Sequence, residues 1–166
     1  MNDASGPAGS PDRHLVAWRE LTPEQMAAWS GFLWTHAHVV RALDRELERQ
    51  HGVSLAEFDV LFQLSIAVDH RLAMSELAEM IVLSRTGLTD LLDGLQSGGL
   101  VKQEPNESKP VDSYIRITDP GLDVLAQVTQ THIAGIQDHF LERLSQKQTE
   151  QLAVIWQALK LSSKVP

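Results

Sequence analysis

Seven histidines and several carboxylate pairs are the side chains of this 166-residue chain with the most obvious chemical capacity. His36 and His38 sit two apart in a stretch of helical periodicity, so they point to different faces and cannot close on one ion together. His132 and His139 are one heptad apart on another such stretch, and with Asp138 or Glu142 nearby they could converge across an interface between two copies. A metal site is the sharp reading of that pair and a pH-sensitive contact the milder one, while satisfied interfacial histidines are the commoner outcome. Neither pair belongs to a His-Glu-x-x-His motif. With no cysteine, thiol catalysis, Cys-ligated zinc and iron–sulfur chemistry are excluded. Glu76 with Glu79, and Asp90 with Asp93, lie three apart on short helical segments and read as solvated faces. A Gly-rich phosphate loop and a Gly-x-Ser-x-Gly elbow are both missing from the text. The expectation is therefore no catalytic residue, no metal, no cofactor and no enzyme.

Composition narrows the partners. Fourteen Lys and Arg stand against 22 Asp and Glu, a formal net charge of -8, while 43% of the residues are apolar. A chain of this length can withdraw roughly 70% of its unfolded surface from water, enough for a core without covalent staples. The acidic balance argues against a nucleic-acid binder that works by bulk charge alone, because such affinity comes from Lys and Arg meeting phosphates. No stretch reaches the roughly 18 to 20 continuous apolar residues of a membrane span, so no membrane partner is expected. Together with the missing cysteines, this points to a cytoplasmic protein. Residues 1–12 hold Gly, Pro, Ala and Ser with neither a basic flank nor an apolar run, so no secretory signal is expected there, and 1–20 reads as a flexible N-terminal tail.

The elements that must position any site are punctuated by three capping boxes. Thr22-Pro23-Glu24-Gln25 opens a long helix on which Met26, Trp29, Leu33, His36, Val40, Leu43 and Leu47 form one stripe, with Arg41, Asp44, Arg45, Glu48 and Arg49 on the wet side and Gly52 as its stop. Ser54-Leu55-Ala56-Glu57 opens a helix facing Phe58, Leu61, Leu64 and Val68 inward and ending at Asp69-His70. A short segment Leu72-Ala73-Met74 follows, then Ser75 as the cap of a brief helix through Ile81. A second short helix runs from about Arg85 to Ser97 and stops at Gly98-Gly99. Leu100 to Glu104 and Val111 to Thr118 read as strands joined by the turn-forming run Pro105 to Pro110. Thr118 caps a long helix carrying Leu122, Leu125, Val128, His132, Ile136 and Phe140, and Ser145-Gln146-Lys147-Gln148 opens a last one with Leu152, Ile155, Trp156 and Leu159.

Leu77, Ala78, Ile81, Leu83, Leu88 and Leu91 form the buried wedge of a two-helix corner, with Ala78 allowing close approach. An αα-corner has a bland use in any helical protein. Followed at once by a hairpin, it makes a winged helix-turn-helix, which holds its second helix out for a major groove. The fold class is thus mainly α, a winged helix-turn-helix with a small β-hairpin wing.

At these residues the chain resembles the multiple antibiotic resistance regulator (MarR) family of bacterial transcription regulators, from about Trp18 to Leu161. The resembling text is Leu55-Ala56-Glu57-Phe58-Asp59-Val60-Leu61, Met74-Ser75-Glu76-Leu77-Ala78, Leu83-Ser84-Arg85-Thr86-Gly87-Leu88-Thr89, Gly99-Leu100-Val101 and Ile117-Thr118-Asp119-Pro120-Gly121. The resemblance implies a homodimer on pseudo-palindromic double-stranded DNA, modulated by a small aromatic or lipophilic effector. It adds a helical dimerisation region to that fold class and divides the chain into the tail, 21–52 as an N-terminal helix contributing to dimerisation, 53–118 as the DNA-binding region and 119–166 as C-terminal dimerisation helices. Ser84, Arg85, Thr86 and Thr89 would then lie in the major groove, where hydroxyls and a guanidinium suit phosphate and base-edge hydrogen bonds. Arg71, Asp90, Lys102 and Lys109 complete the expected DNA-facing set. An effector crevice beside the first two helices would draw on Trp29, His36, Phe58 and Phe62, although core packing is the commoner role of aromatics crowded as Trp18, Trp29, Phe32, Trp34, Phe58 and Phe62 are.

The departures from the family pattern fall on DNA contacts. Asp90 and Gly94 stand where arginines are common, and Lys109, Pro110 and Val111 stand where the wing commonly carries Asp-Arg-Arg or Asp-x-Arg. Residues 70–118 hold five basic and seven acidic side chains, a balance of -2. A second reading therefore stands beside the first: a relative with weakened or lost DNA binding, working as a protein-interaction or ligand-sensing module.

Overall fold

The structure, a computed structural model, describes Trp18 and residues 20–81, 85–106 and 111–159. Almost all of the expected tail, the Leu83 turn and residues 107–110 of the hairpin tip lie outside the described residues. Helix α1 spans Pro23–His51. Its start is the anticipated box, with the Gln25 amide donating to Thr22 Oγ1 at 3.2 Å and the Thr22 amide to Gln25 Oε1 at 2.9 Å. It stops at Gly52, whose φ of +66° lies in the left-handed region that glycine enters without a side-chain clash.

The helix passes from one compact unit, ending at His38, into a second that starts at Val39. In the first, the expected stripe is not covered, Trp29 and Leu33 being 48% and 44% exposed, and Phe32 and Trp34 beside it are 43% and 74% exposed. Trp29, Phe32 and His36 instead follow one another along the helix, with neighbouring rings tilted by 31–33° and their centroids 6.0 Å apart. This corrects the core reading for most of the crowded aromatics, because among the described residues of this unit one helix has little to bury them against.

The second unit holds the core. Helix α2, Leu55–Ile66, carries the Ser54–Glu57 capping box and buries Phe58, Val60, Leu61 and Leu64. It ends two residues before Val68, which is 85% exposed rather than inward-facing. A 3-10 turn over Val68–His70 follows, in which Asp69 and His70 take φ of 56° and 54°. Strand β1, Arg71–Ala73, leads into α3, Met74–Met80, then α4, Arg85–Ser97. Strands β2, Val101–Pro105, and β3, Ser113–Ile117, form an antiparallel hairpin whose β3 also pairs with β1, giving the order β1-β3-β2. Helix α5, Asp119–His139, a 3-10 turn over Leu141–Arg143 and α6, Gln146–Ala158, complete the described chain.

Burial follows alternation. Leu72, Val101, Ile115 and Ile117 face the helices, where Leu47, Leu61, Leu64, Leu77, Leu88, Leu92, Leu95, Leu125 and Val128 meet them in one cluster. Each such side chain removed from water contributes about 1.5–3 kcal/mol before entropy is counted.

Two expectations need correction here. Ser75 does not cap α3: Ala73 occupies that position with no side-chain cap, and the Ser75 hydroxyl donates to Asp112 Oδ2 at 2.7 Å instead. Asp44 is half-buried rather than wet, because its carboxylate accepts the Leu55 amide at 2.9 Å and so ties α1 to the first turn of α2.

Candidate nucleic-acid interface

Helix α4 is built to show one side and bury the other. Leu88, Leu92 and Leu95 recur at spacings of four and three and are 1–5% exposed, whereas Thr89, Asp90, Asp93 and Gly94 face outward. Leu77 of α3 is fully buried, and Ala78, Ile81 and Leu91 are partly buried against the same cluster, so the corner is a packed unit. The chain leaves α4 through Gly99, with φ of +72°, and the Leu100 amide returns to the Leu95 carbonyl at 2.9 Å.

Of the residues expected to face DNA, Arg85 and Thr86 begin α4, and their side chains lie outside the description, as do Ser84 and Lys109 altogether. Thr89 and Asp90 share the outward side of α4. Arg71 and Lys102 lie on the outer face of the sheet, in register on either side of Arg116. Thr89 also lines a cavity of about 970 Å³ between the helix pair and the hairpin, together with Met74, Ser75, Gln103, Glu104 and Asp112.

Arg116, Glu104 and Tyr114 were missed in the sequence reading. Arg116 Nε donates to Glu104 Oε1 at 2.9 Å, Lys102 Nζ lies 3.0 Å from the same oxygen, and Arg71 Nη1 lies 3.8 Å from Oε2. The Arg71 guanidinium sits 4.5 Å from the Tyr114 ring centroid. The hydrogen bonds from Arg116 and Lys102 hold the Glu104 carboxyl below its usual range, so it stays ionised. Strand alternation carried the signal, since a hairpin pairing Lys102 with Arg116 puts both on one face.

The candidate ligand residues divide between the two units. Trp29 and His36 are exposed on α1. Phe58 is buried, Phe62 is 41% exposed, and their rings stack with centroids 6.1 Å apart. His132 of α5 lies against Phe58 at 4.3 Å, with Nδ1 buried and unpaired, and burial lowers its pKa. His139 is engaged elsewhere, Nε2 lying 2.7 Å from Glu46 Oε1 of α1. Among the described residues no three His, Cys, Asp or Glu side chains are grouped as metal ligands, and no helix is long and apolar enough to cross a membrane.

Comparison with known proteins meets this geometry from outside. The profile described as the MarR family matches residues 51–109, from the end of α1 into the hairpin tip. The chain is 24% identical over 125 residues to the HTH-type transcriptional regulator PecS of Dickeya dadantii (strain 3937), covering 73% of this chain and 75% of that protein. It is 33% identical over 85 residues to the HTH-type transcriptional repressor YetL of Bacillus subtilis (strain 168), covering 51% of each. Among solved structures it is similar to AbsC, a MarR family transcriptional regulator from Streptomyces coelicolor, with a TM-score of 0.75 at 26% identity over 84% of this chain and 92% of that one. It also shares its fold with Sco3205, a MarR family regulator from the same organism solved in complex with DNA, with a TM-score of 0.76 at 24% identity over 88% and 96% of the two chains. Helix corner, hairpin wing and both kinds of likeness agree: the chain has the winged-helix fold and is similar to transcription regulators of the MarR family.

Proposed function

We propose that the protein acts as a homodimer on a pseudo-palindromic operator, each copy setting α4 into a major groove, and that a small aromatic or lipophilic ligand modulates the complex. The observation that carries this reading is the division of α4 into a leucine side locked in the core and a polar side turned out. Ser84, Arg85, Thr86 and Thr89 meet base edges and phosphates; Arg71, Lys102 and Lys109 meet the backbone. Half-sites about one helical turn apart, roughly 34–36 Å, would let the two α4 helices enter major grooves on the same face of the duplex. Exposed apolar residues on α6, Val154 and Ile155, with Leu159 just past its end, at 50–65%, support a helical partner face of the kind a second copy supplies. The ligand favours a dimer geometry in which the two α4 helices no longer match the half-site spacing.

Selection of genomic fragments with purified protein, at low and at physiological salt, tests the reading. A palindromic sequence is expected to be enriched; no enrichment at either salt overturns it. Asp90 favours a second reading in which DNA binding is weakened, since a carboxylate on the outward side of α4 repels phosphate. Asp90→Arg separates the two. It is expected to tighten operator binding by about tenfold at low salt, because the lost repulsion and the gained attraction are each worth about 1 kcal/mol at 4 Å in water before screening. A gel-shift midpoint that does not move would place Asp90 away from DNA.

A further inference from the structure

The outer face of the sheet gathers three cations around one carboxylate. Arg71 comes from β1, Lys102 and Glu104 from β2 and Arg116 from β3, and their register is set by antiparallel pairing. Glu104 and Arg116 are partly sheltered, with side chains 25% and 27% exposed. Arg116 is held from a second side, Nη1 donating to the Asp69 carbonyl at the turn where Asp69 and His70 adopt left-handed backbone. Arg71 is held by Tyr114. The guanidinium and ammonium groups are therefore arranged before any partner arrives, and one carboxylate leaves them with two positive charges in excess.

Glu104 lies on β2, the first strand of the hairpin that directly follows α4, and is among the residues lining the cavity that Thr89 also lines. Ion pairs this exposed contribute little to stability, so the arrangement asks for another consequence. We propose that Glu104 occupies a phosphate-type anion site formed by Arg71, Lys102 and Arg116, and that a DNA backbone phosphate must displace it. Glu104 is then an internal competitor that sets operator affinity low and reduces its dependence on salt. The inference rests on the DNA-binding reading above for the identity of the competing anion, whereas the anion site itself is tested without DNA.

Tyr114 is the chain's one tyrosine and stacks on Arg71, so its ring signals in an NMR spectrum report on the cluster. Titration with inorganic phosphate is expected to shift those signals at several-fold lower concentration in Glu104→Gln than in wild type. Equal responses, or none in either protein, overturn the anion site whatever happens with DNA. On a duplex, Glu104→Gln is expected to bind more tightly with its log–log salt slope steeper by about 0.9, so that its advantage shrinks about threefold between 50 and 200 mM salt. Glu79→Gln, which removes the same charge from α3, controls for bulk charge; an equal gain there overturns the competition. Lys102→Gln, a change at a 56% exposed side chain, gives a second route. It is expected to cost several-fold more affinity in the Glu104→Gln background than in wild type, and equal costs count against the proposal. If phosphate shifts Tyr114 as expected but neither protein binds any duplex, the DNA-binding reading fails and the anion site stands.

Discussion

His132 shows how one side chain couples the core to pH. Its ring lies against Phe58, Nδ1 is buried without a partner, and burial pushes its pKa below the ordinary histidine value. A base whose folded pKa is depressed binds protons more readily when unfolded, so stability rises with pH through that window. Unfolding by urea is therefore expected to show a midpoint that falls as pH drops below about 6.5, the unperturbed value. His132→Phe, which keeps a ring on Phe58 and removes the titrating group, is expected to flatten that dependence. An equally steep fall in the variant would assign it to other groups. Glu104 works in the opposite range: with its pKa lowered by Arg116 and Lys102, its contribution is present above the usual carboxylate range and lost as pH falls through its own value. The two dependences can be separated by where they begin.

At the scale of elements, two glycines with opposite surroundings make a matched test. A Cβ on Gly121, in the first turn of α5, would lie 2.2 Å from the Leu100 carbonyl oxygen and 2.8 Å from Ile117 Cγ1, so this glycine lets α5 start against the root of the hairpin. Gly121→Ala is expected to destabilise by about 1–3 kcal/mol or more through overpacking. A Cβ on Gly94 would meet only Glu57 Oε1 at 4.0 Å, so Gly94→Ala is expected to stabilise by up to about 1 kcal/mol through helix propensity. Thermal melts of both variants check the signs. The same contrast explains what could be read in the sequence. The Thr22, Ser54 and Ser145 caps and the bounds of α4 depend on residues within four positions, and all four were legible. Ser75 was misassigned because its partner Asp112 is 37 residues away, and Val68 because helical periodicity continued past a turn that left-handed Asp69 and His70 impose. The anion cluster went unread for a similar reason: Glu104 and Arg116 meet only once a hairpin register is set.

For the whole molecule, the -8 net charge first speaks against nucleic acid, yet it describes the entire surface and not one face. The outer sheet face carries Arg71, Lys102 and Arg116 against Glu104, so cations are concentrated in a segment that is acidic in sum. On the proposed reading, such a protein would neutralise few phosphates per copy, and a short operator would be held firmly only if two copies bound together. This makes assembly the controlling variable. On α6, Ile155 is 50% exposed and Val154 65%, with no buried residue on that helix among those described. Ile155→Glu is expected to leave the fold of the second unit intact, since it removes no core contact, and to convert a dimer into a monomer in sedimentation. Operator affinity in the variant should drop by at least tenfold and its binding curve should follow single half-sites. If Ile155→Glu sediments as wild type does, α6 is not the partner face, and the dimer proposed here would have to be built on other residues.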